Sequence, residues 1–258
     1  MKLSDVLAFS GCLMLVLSCS VKEDREVCPC RLVLDMGEVD TSVVKYAELV
    51  VSAPGGFQTR DTLRAEEFVT DHIVDVPRYD ISVGVYFGAE DCVDDEGRLG
   101  IRYGDECPPV YMHSSLVRAE GESIREHILM RKNHCLMTIQ VQTQKVFPFR
   151  LEVKGNVDGY ESGGVPSEGE FMYAMYTGED GACSLALPRQ TDSSLVLEVH
   201  DDTQTLKTFA LGEYVAASGY DWSDDDLKDI AISLDYALTR LAISIEDWER
   251  EYVFDVVI

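Results

Sequence analysis

The sequence predicts an all-β chain: two tandem β-sandwiches behind a short apolar leader. Three observations predict it. Apolar and polar residues alternate with period two in run after run, turn residues separate the runs at short intervals, and helical patterning is confined to brief stretches late in the chain. Period-two alternation gives a strand one face for a core and one for water. Many short strands of this kind, divided by turns, are the pattern of sandwiches.

Each element follows from its own residues. Leu32, Leu34 and Met36 open the first half, and Ile81, Val83, Val85 and Phe87 line a second strand. Ile128 and Met130 repeat the pattern more weakly. Met137, Ile139 and Val141 alternate with Thr138, Gln140 and Gln142, and Phe149, Leu151 and Val153 with Arg150, Glu152 and Lys154. An extended loop is expected from Gly155 to Gly169, where Gly163, Gly164 and Pro166 cluster. Leu195, Leu197 and Val199 share one face. Leu211 to Ser218 reads as about two helical turns stopped by Gly219 in the left-handed position. Ser223 to Asp226 reads as a capping box opening another helix, Ser223 being the N-cap. The same Asp run lacks the glycine and distal Glu of an EF-hand calcium loop. Ile230, Ile232, Leu234 and Tyr236 form the next strand, and Leu241, Ile243 and Ile245 another.

A domain boundary is expected near 131–135, after the charged stretch Arg125 to Lys132 and before the cleanest alternation begins. The sandwiches would then occupy 28–132 and 133–258. No internal repeat and no low-complexity linker is visible.

The chain has 258 residues, 46% of them hydrophobic, enough for real cores. Acidic residues number 47 against 22 basic, for a net charge of -25. That argues against nucleic acid, whose phosphates need a basic face, and against peripheral binding to an anionic membrane. Beyond the leader lie Cys28, Cys30, Cys92, Cys107, Cys135 and Cys183, which allow fifteen full pairings. Cys92 and Cys107 bracket an acidic segment with a turn signal at Asp94-Asp95-Glu96-Gly97, so this pair is the candidate disulfide. Cys28-Pro29-Cys30 lacks metal-site spacing. There is no G-x-S-x-G, P-loop, H-E-x-x-H or G-x-G-x-x-G, and the five histidines are scattered. The expectation is a protein that is not an enzyme, with no cofactor, no metal and no small-molecule substrate.

The leader carries its own signal. An apolar run closes at Val16-Leu17-Ser18-Cys19, and Lys22-Glu23-Asp24 follow at once. The run is shorter than the ~20 residues that cross a bilayer. This resembles a bacterial lipoprotein signal, with 1–18 as the signal peptide and Cys19 taking palmitate-type acyl chains. Residues 19–27 would be a tether in which Lys22, Glu23 and Asp24 resemble the surface-export tag of lipoproteins from certain gut and oral Gram-negative anaerobes. The implied partner is the outer membrane, reached through the N-terminal lipid.

Ordered segments of the second half extend the comparison. Leu187-Pro188-Arg189-Gln190 leads into Ser194 to His200; Phe209 to Tyr214, Ser218 to Trp222, Asp226 to Ile230, Asp235 to Ala237 and Asp247-Trp248 follow. With the early Cys19, Asp24 and Cys28-Pro29-Cys30 pattern, this resembles the FimB-type fimbrial anchor family, lipoproteins at the base of type V pili. The resemblance implies two transthyretin-like sandwiches, no catalysis, and a shaft subunit as partner. Subunits of such pili join by strand complementation, in which a neighbour's strand completes a sheet. Tyr252, Phe254, Val256 and Ile258 form an apolar terminal strand that either is donated to a neighbour or closes its own sandwich. Two other functional classes fit an all-β lipoprotein. A surface glycan-binding lipoprotein would draw on Tyr160, Phe171, Tyr173 and Tyr176; a sandwich glycosidase would need two carboxylates facing each other across a cleft.

Overall fold

The computed structural model describes residues 28–68, 71–142, 147–246 and 251–255. The first half forms β1 (Cys30–Asp35), β2 (Tyr46–Ala53), β3 (Phe57–Arg64), β4 (His72–Val76), β5 (Asp80–Phe87), β6 (Leu99–Gly100), β7 (Tyr111–Arg118), β8 (Ser123–His127) and β9 (Arg131–Lys132). A three-stranded sheet of order β4-β1-β8 faces a five-stranded sheet of order β3-β2-β5-β7-β9. β1 runs antiparallel to β4 and parallel to β8. Its alternation is the predicted one: Cys30, Leu32 and Leu34 are fully buried, and they join Leu49, Val51, Val83, Val85 and Phe87 in one core.

The second half adds β10 (His134–Val141), β11 (Arg150–Tyr160), β12 (Pro166–Met175), β13 (Ala182–Pro188), β14 (Val196–His200), β15 (Thr205–Phe209), α1 (Leu211–Ala217), β16 (Ile230–Asp235), β17 (Arg240–Ile245) and β18 (Glu251–Asp255). Two sheets, β13-β10-β16-β17-β18 and β12-β11-β14-β15, close over a second core. β10 runs parallel to β16, as β1 does to β8. The chain is all-β, built of two sandwiches.

Strand β2 shows why part of the pattern was hidden. Ala47, Leu49 and Val51 face the first core, while Val50, on the other face, is buried among residues of the second. Val50 is thus the apolar exception on the face that carries Tyr46, Glu48 and Ser52, and it interrupts the strand's alternation. Tyr86 of β5 and Met112 of β7 also turn toward the second core.

The segment between β5 and β7 leaves the first sandwich and packs into the second. Ala89, Val93, Leu99, Ile101, Cys107 and Val110 all belong to the second core. β6 pairs with β11 through Gly100↔Gly159 and Leu99↔Tyr160. Gly159 is needed there: a Cβ would sit 1.9 Å from the Leu99 carbonyl oxygen, and its φ is +153°. The Glu106 carboxylate accepts the Ala186 N–H at 2.6 Å, the Tyr86 hydroxyl donates to the Gly97 carbonyl at 2.7 Å, and Ser114 Oγ donates to the Gly163 carbonyl at 2.6 Å. The two sandwiches are thus joined by buried apolar surface, a strand pair and side-chain hydrogen bonds.

Three local expectations are corrected. Gly155 to Gly169 is not an extended loop; most of it is the β11–β12 hairpin, turning at Glu161–Gly164 with Gly164 at φ +73°. Gly155, Gly159 and Gly169 lie within the strands, while Gly163 and Gly164 sit at the turn. Ser223 opens no helix. Instead the Asp221 carboxylate accepts from the Ser223 N–H at 2.8 Å and Oγ at 2.7 Å, an Asx turn. Asp226 reaches Arg131 and the Lys132 N–H, so its carboxylate holds the sandwich junction. Ile128 and Met130 lie between β8 and β9 rather than in one strand. The other helix forms as expected, with Gly219 at φ +83° just beyond it.

Candidate functional site

Cys19, Lys22, Glu23 and Asp24, with the proposed signal and tether, lie outside the described residues, as do Val256 and Ile258. The described chain enters at exposed Cys28, whose carbonyl accepts from Arg78 Nε at 3.0 Å. Cys30, two residues on, is already fully buried at the start of β1. Among the described residues no helix is long and apolar enough to cross a membrane.

At the other end, β18 pairs antiparallel with β17: Tyr252 faces Ile243 and Phe254 faces Leu241. Phe254 packs on the second core, its ring 5.0 Å from that of Tyr214, while Val253 points outward at 57% exposure. The described part of the terminal strand therefore closes its own sandwich. It is also the last strand on its side of that sheet.

Other sheet margins look different. β8 is charged, and Arg125 ties Asp35 at 3.2 Å and Asp71 at 2.6 Å across the small sheet of the first sandwich. Charge at an edge discourages further pairing. At the β13 margin, the Glu106 carboxylate takes the Ala186 N–H. β18 places Tyr252, Val253 and Phe254 between two acids, Glu251 and Asp255.

Cys92 and Cys107 are both free thiols in the structure. The expected turn lies between them: Asp94 N–H donates to the Arg98 carbonyl at 2.8 Å, and Gly97 takes φ +80°. Cys107 is buried, and burial pushes its thiol far up, with Cys92, Glu106 and Cys135 close enough to add to the rise. Burial likewise pushes Cys135 up to about 12 and Cys183 to about 11. Such thiols are protonated at neutral pH.

On the outer face of the β11–β14 pair, Glu152, Glu198 and His200 bring three possible metal-ligand atoms within 4.8 Å of one another. The cation is already supplied by the chain: Lys154 Nζ lies 2.7 Å from Glu198 and 3.4 Å from Glu152, and Arg150 lies 2.5 Å from Glu152. Burial pushes the Glu198 carboxyl up, but hydrogen bonds and charge from Lys154 and His200 outweigh it and hold it below its usual range. The same pairing raises Lys154, its bond to Glu198 first. This is an ionic network across two strands, with the carboxylates bridged by a lysine rather than facing each other across a cleft.

The aromatic group suggested for glycan contact is dispersed. Tyr160 and Phe171 are core residues, Tyr173 packs half-buried against that core, and Tyr176 is 63% exposed. Sequence reasoning did not single out Arg189 as a hub. Its guanidinium donates to Asn133 Oδ1 and to the carbonyls of Trp222 and Asp224, tying the start of β10 to the loop after α1. Only tertiary proximity reveals it.

No family model and no curated protein matches the sequence. Solved structures do. The chain superposes with TM-score 0.64 and 14% identity on a Bacteroides thetaiotaomicron protein described as a candidate polysaccharide binder, over 88% of this chain and 98% of that one. It superposes with TM-score 0.61 and 11% identity on the fimbrial anchor protein Mfa2 from Porphyromonas gingivalis, over 86% and 98%. A candidate adhesin from B. thetaiotaomicron gives 0.56 and 13%, over 86% and 97%. The chain shares their fold. The likeness spans both sandwiches, so the tandem arrangement is common to all three.

Proposed function

We propose that this protein is a FimB-type anchor subunit, non-enzymatic, that fixes a fimbrial shaft to the outer membrane and limits its growth. The observation that carries the reading is the fold likeness to Mfa2 over 98% of that chain, set beside the ordered segments from Leu187 to Trp248. In this reading residues 1–18 are removed, Cys19 is lipidated, Lys22-Glu23-Asp24 direct the protein to the cell surface, and the sandwiches of 28–132 and 133–258 follow.

Mechanically, a fibre held to a lipidated base leaves only by breaking its strand pairing or extracting the lipid. More than one acyl chain makes the second route slow. The β18 margin, one end of its sheet, is where a shaft subunit would add a strand. A base that keeps its own terminal strand on β17 accepts no subunit in that strand's place, which would limit growth.

Deletion of the gene tests both parts. Fibres should appear in the medium and be longer than those on wild-type cells. Cell-bound fibres of normal length in the deletion strain reject the proposal. Cys19→Ala should release the protein from the membrane fraction.

A further inference from the structure

A cleft of about 530 Å³ opens beside the loop after α1, within the size range of small-molecule sites. Trp222 and Tyr220 form one wall and the turn from Gln190 to Ser193 the other. Neither the anchoring role nor strand exchange uses it.

The aromatic wall is held in place from behind. The rings of Tyr220 and Trp222 lie 4.7 Å apart and 65° inclined. The Tyr220 hydroxyl donates to the Lys228 carbonyl at 2.7 Å, and Arg189 clamps the Trp222 carbonyl. Trp222 is thus half-buried and fixed before any ligand arrives. A fixed aromatic platform costs little ordering on binding.

Acidic and hydroxyl groups complete the lining. The Asp192 carboxylate accepts from the Ser194 N–H at 2.8 Å and from Asn156 Nδ2 at 2.9 Å. Asp221 is fixed by its two bonds from Ser223. Both carboxyls are held below their usual range, chiefly by these serine hydrogen bonds, so both are ionised acceptors at neutral pH. Thr191 and Ser193 also line the cleft. The one cation in the lining, Arg189, is spent on backbone carbonyls and Asn133.

A rigid indole wall facing carboxylate acceptors and hydroxyls suits a ligand with one apolar face and a rim of hydroxyl donors. A pyranose ring has that shape: its axial C–H face stacks on an aromatic ring and its hydroxyls donate to carboxylates. An anionic sugar is disfavoured, since the cleft offers two carboxylates and no free cation. We propose that the Trp222–Asp192 cleft binds a neutral saccharide. This site goes beyond the anchoring role and stands or falls independently of it.

The chain has two tryptophans, so Trp248→Phe leaves Trp222 as the only indole emitter. That folded variant is titrated with mannobiose, cellobiose, lactose and chitobiose, and with polygalacturonate as the anionic comparison. The expected result is saturable change in Trp222 emission with at least one disaccharide and none with polygalacturonate. Asp192→Ala, read in the same background at a temperature where it is fully folded, should weaken binding at least about tenfold. Trp222→Ala, read by calorimetry, should abolish it, and Trp222→Phe should restore part. No saturable response to any of the four disaccharides overturns the proposal. So does binding that survives Asp192→Ala undiminished, or equal binding of polygalacturonate.

Discussion

His113 shows how one buried side chain links local bonding to pH. It is 8% exposed, and its Nδ1 accepts the Leu129 N–H at 3.1 Å. The ring proton therefore sits on Nε2, which donates to Glu126 Oε1 at 3.1 Å. A second proton would have to displace the Leu129 bond. Burial lowers the His113 pKa from 6.5, against the opposing pull of Glu126. Burial likewise lowers that of His134, whose Nδ1 donates to the Val110 carbonyl at 3.0 Å. The sign follows directly: below the unfolded value, the unfolded chain takes up protons that the folded chain refuses. The stabilisation is complete above about pH 6.5 and is lost as pH falls through the lowered folded pKa. Thermal melts should show stability falling between about pH 7 and pH 5, and the double variant His113→Gln, His134→Gln should fall less steeply over that window. Parallel slopes for both proteins would assign the acid sensitivity to carboxylates alone.

Two elements carry testable weight. The first is β18, held by backbone pairing to β17 and by Phe254 against Tyr214 and the core. Phe254→Ala should cost about 2 kcal/mol, because a half-buried ring loses both burial and a ring contact. Denaturant unfolding measures it, and a loss below about 0.5 kcal/mol would mean that the strand contributes little to its own sandwich. The second is the segment from Cys92 to Cys107, which leaves one sandwich to pack in the other. Cys92 and Cys107 are free thiols here, and the turn between them is what motivates pairing them in the exported protein. Oxidation in an exported protein would close a loop whose entropy contributes ~3 kcal/mol. Peptide mapping under non-reducing conditions should find the Cys92–Cys107 linkage, and two free thiols there in exported protein would rule it out. Part of this was legible: the turn at Asp94–Gly97 and the helix ending at Gly219 are short-range signals. The β11–β12 hairpin reads as a loop in the sequence because Gly155, Gly159 and Gly169 look like breakers until their strand partners are known.

At the scale of the whole molecule, the two sandwiches share a junction rather than a linker. Val50, Tyr86 and Met112 present the outward face of one five-stranded sheet to the second core, and the segment carrying β6 crosses over to pair with β11. A load applied at either end would pass through this packed surface. Calorimetry should therefore give a single unfolding transition for residues of both halves. Val50→Asp, placing a charge at a position 2% exposed, should lower stability by about 3 kcal/mol or more and separate the transition into two. A variant that still melts as one unit at the wild-type temperature would show the junction to be incidental. The net charge of -25 acts at this scale too, keeping copies of the chain mutually repulsive.

The amino-acid order by itself determined the all-β class and those strands with one wet face, such as Leu32–Leu34 on β1 and Ile230–Leu234 on β16, because periodicity reports a neighbourhood that is different on the two sides of a strand. It determined α1 and its end, because caps are local. Tertiary structure alone decided what depends on residues far apart in sequence. β2 buried Val50 on the face whose other residues are Tyr46, Glu48 and Ser52. β1 joined β8, and β10 joined β16, in parallel pairs that no turn encodes. Arg189 met the carbonyls of Trp222 and Asp224, and Lys154 settled between Glu152 and Glu198. In each case the deciding contact crosses from one strand or loop to another, and a short-range pattern carries no record of a partner that only folding brings near.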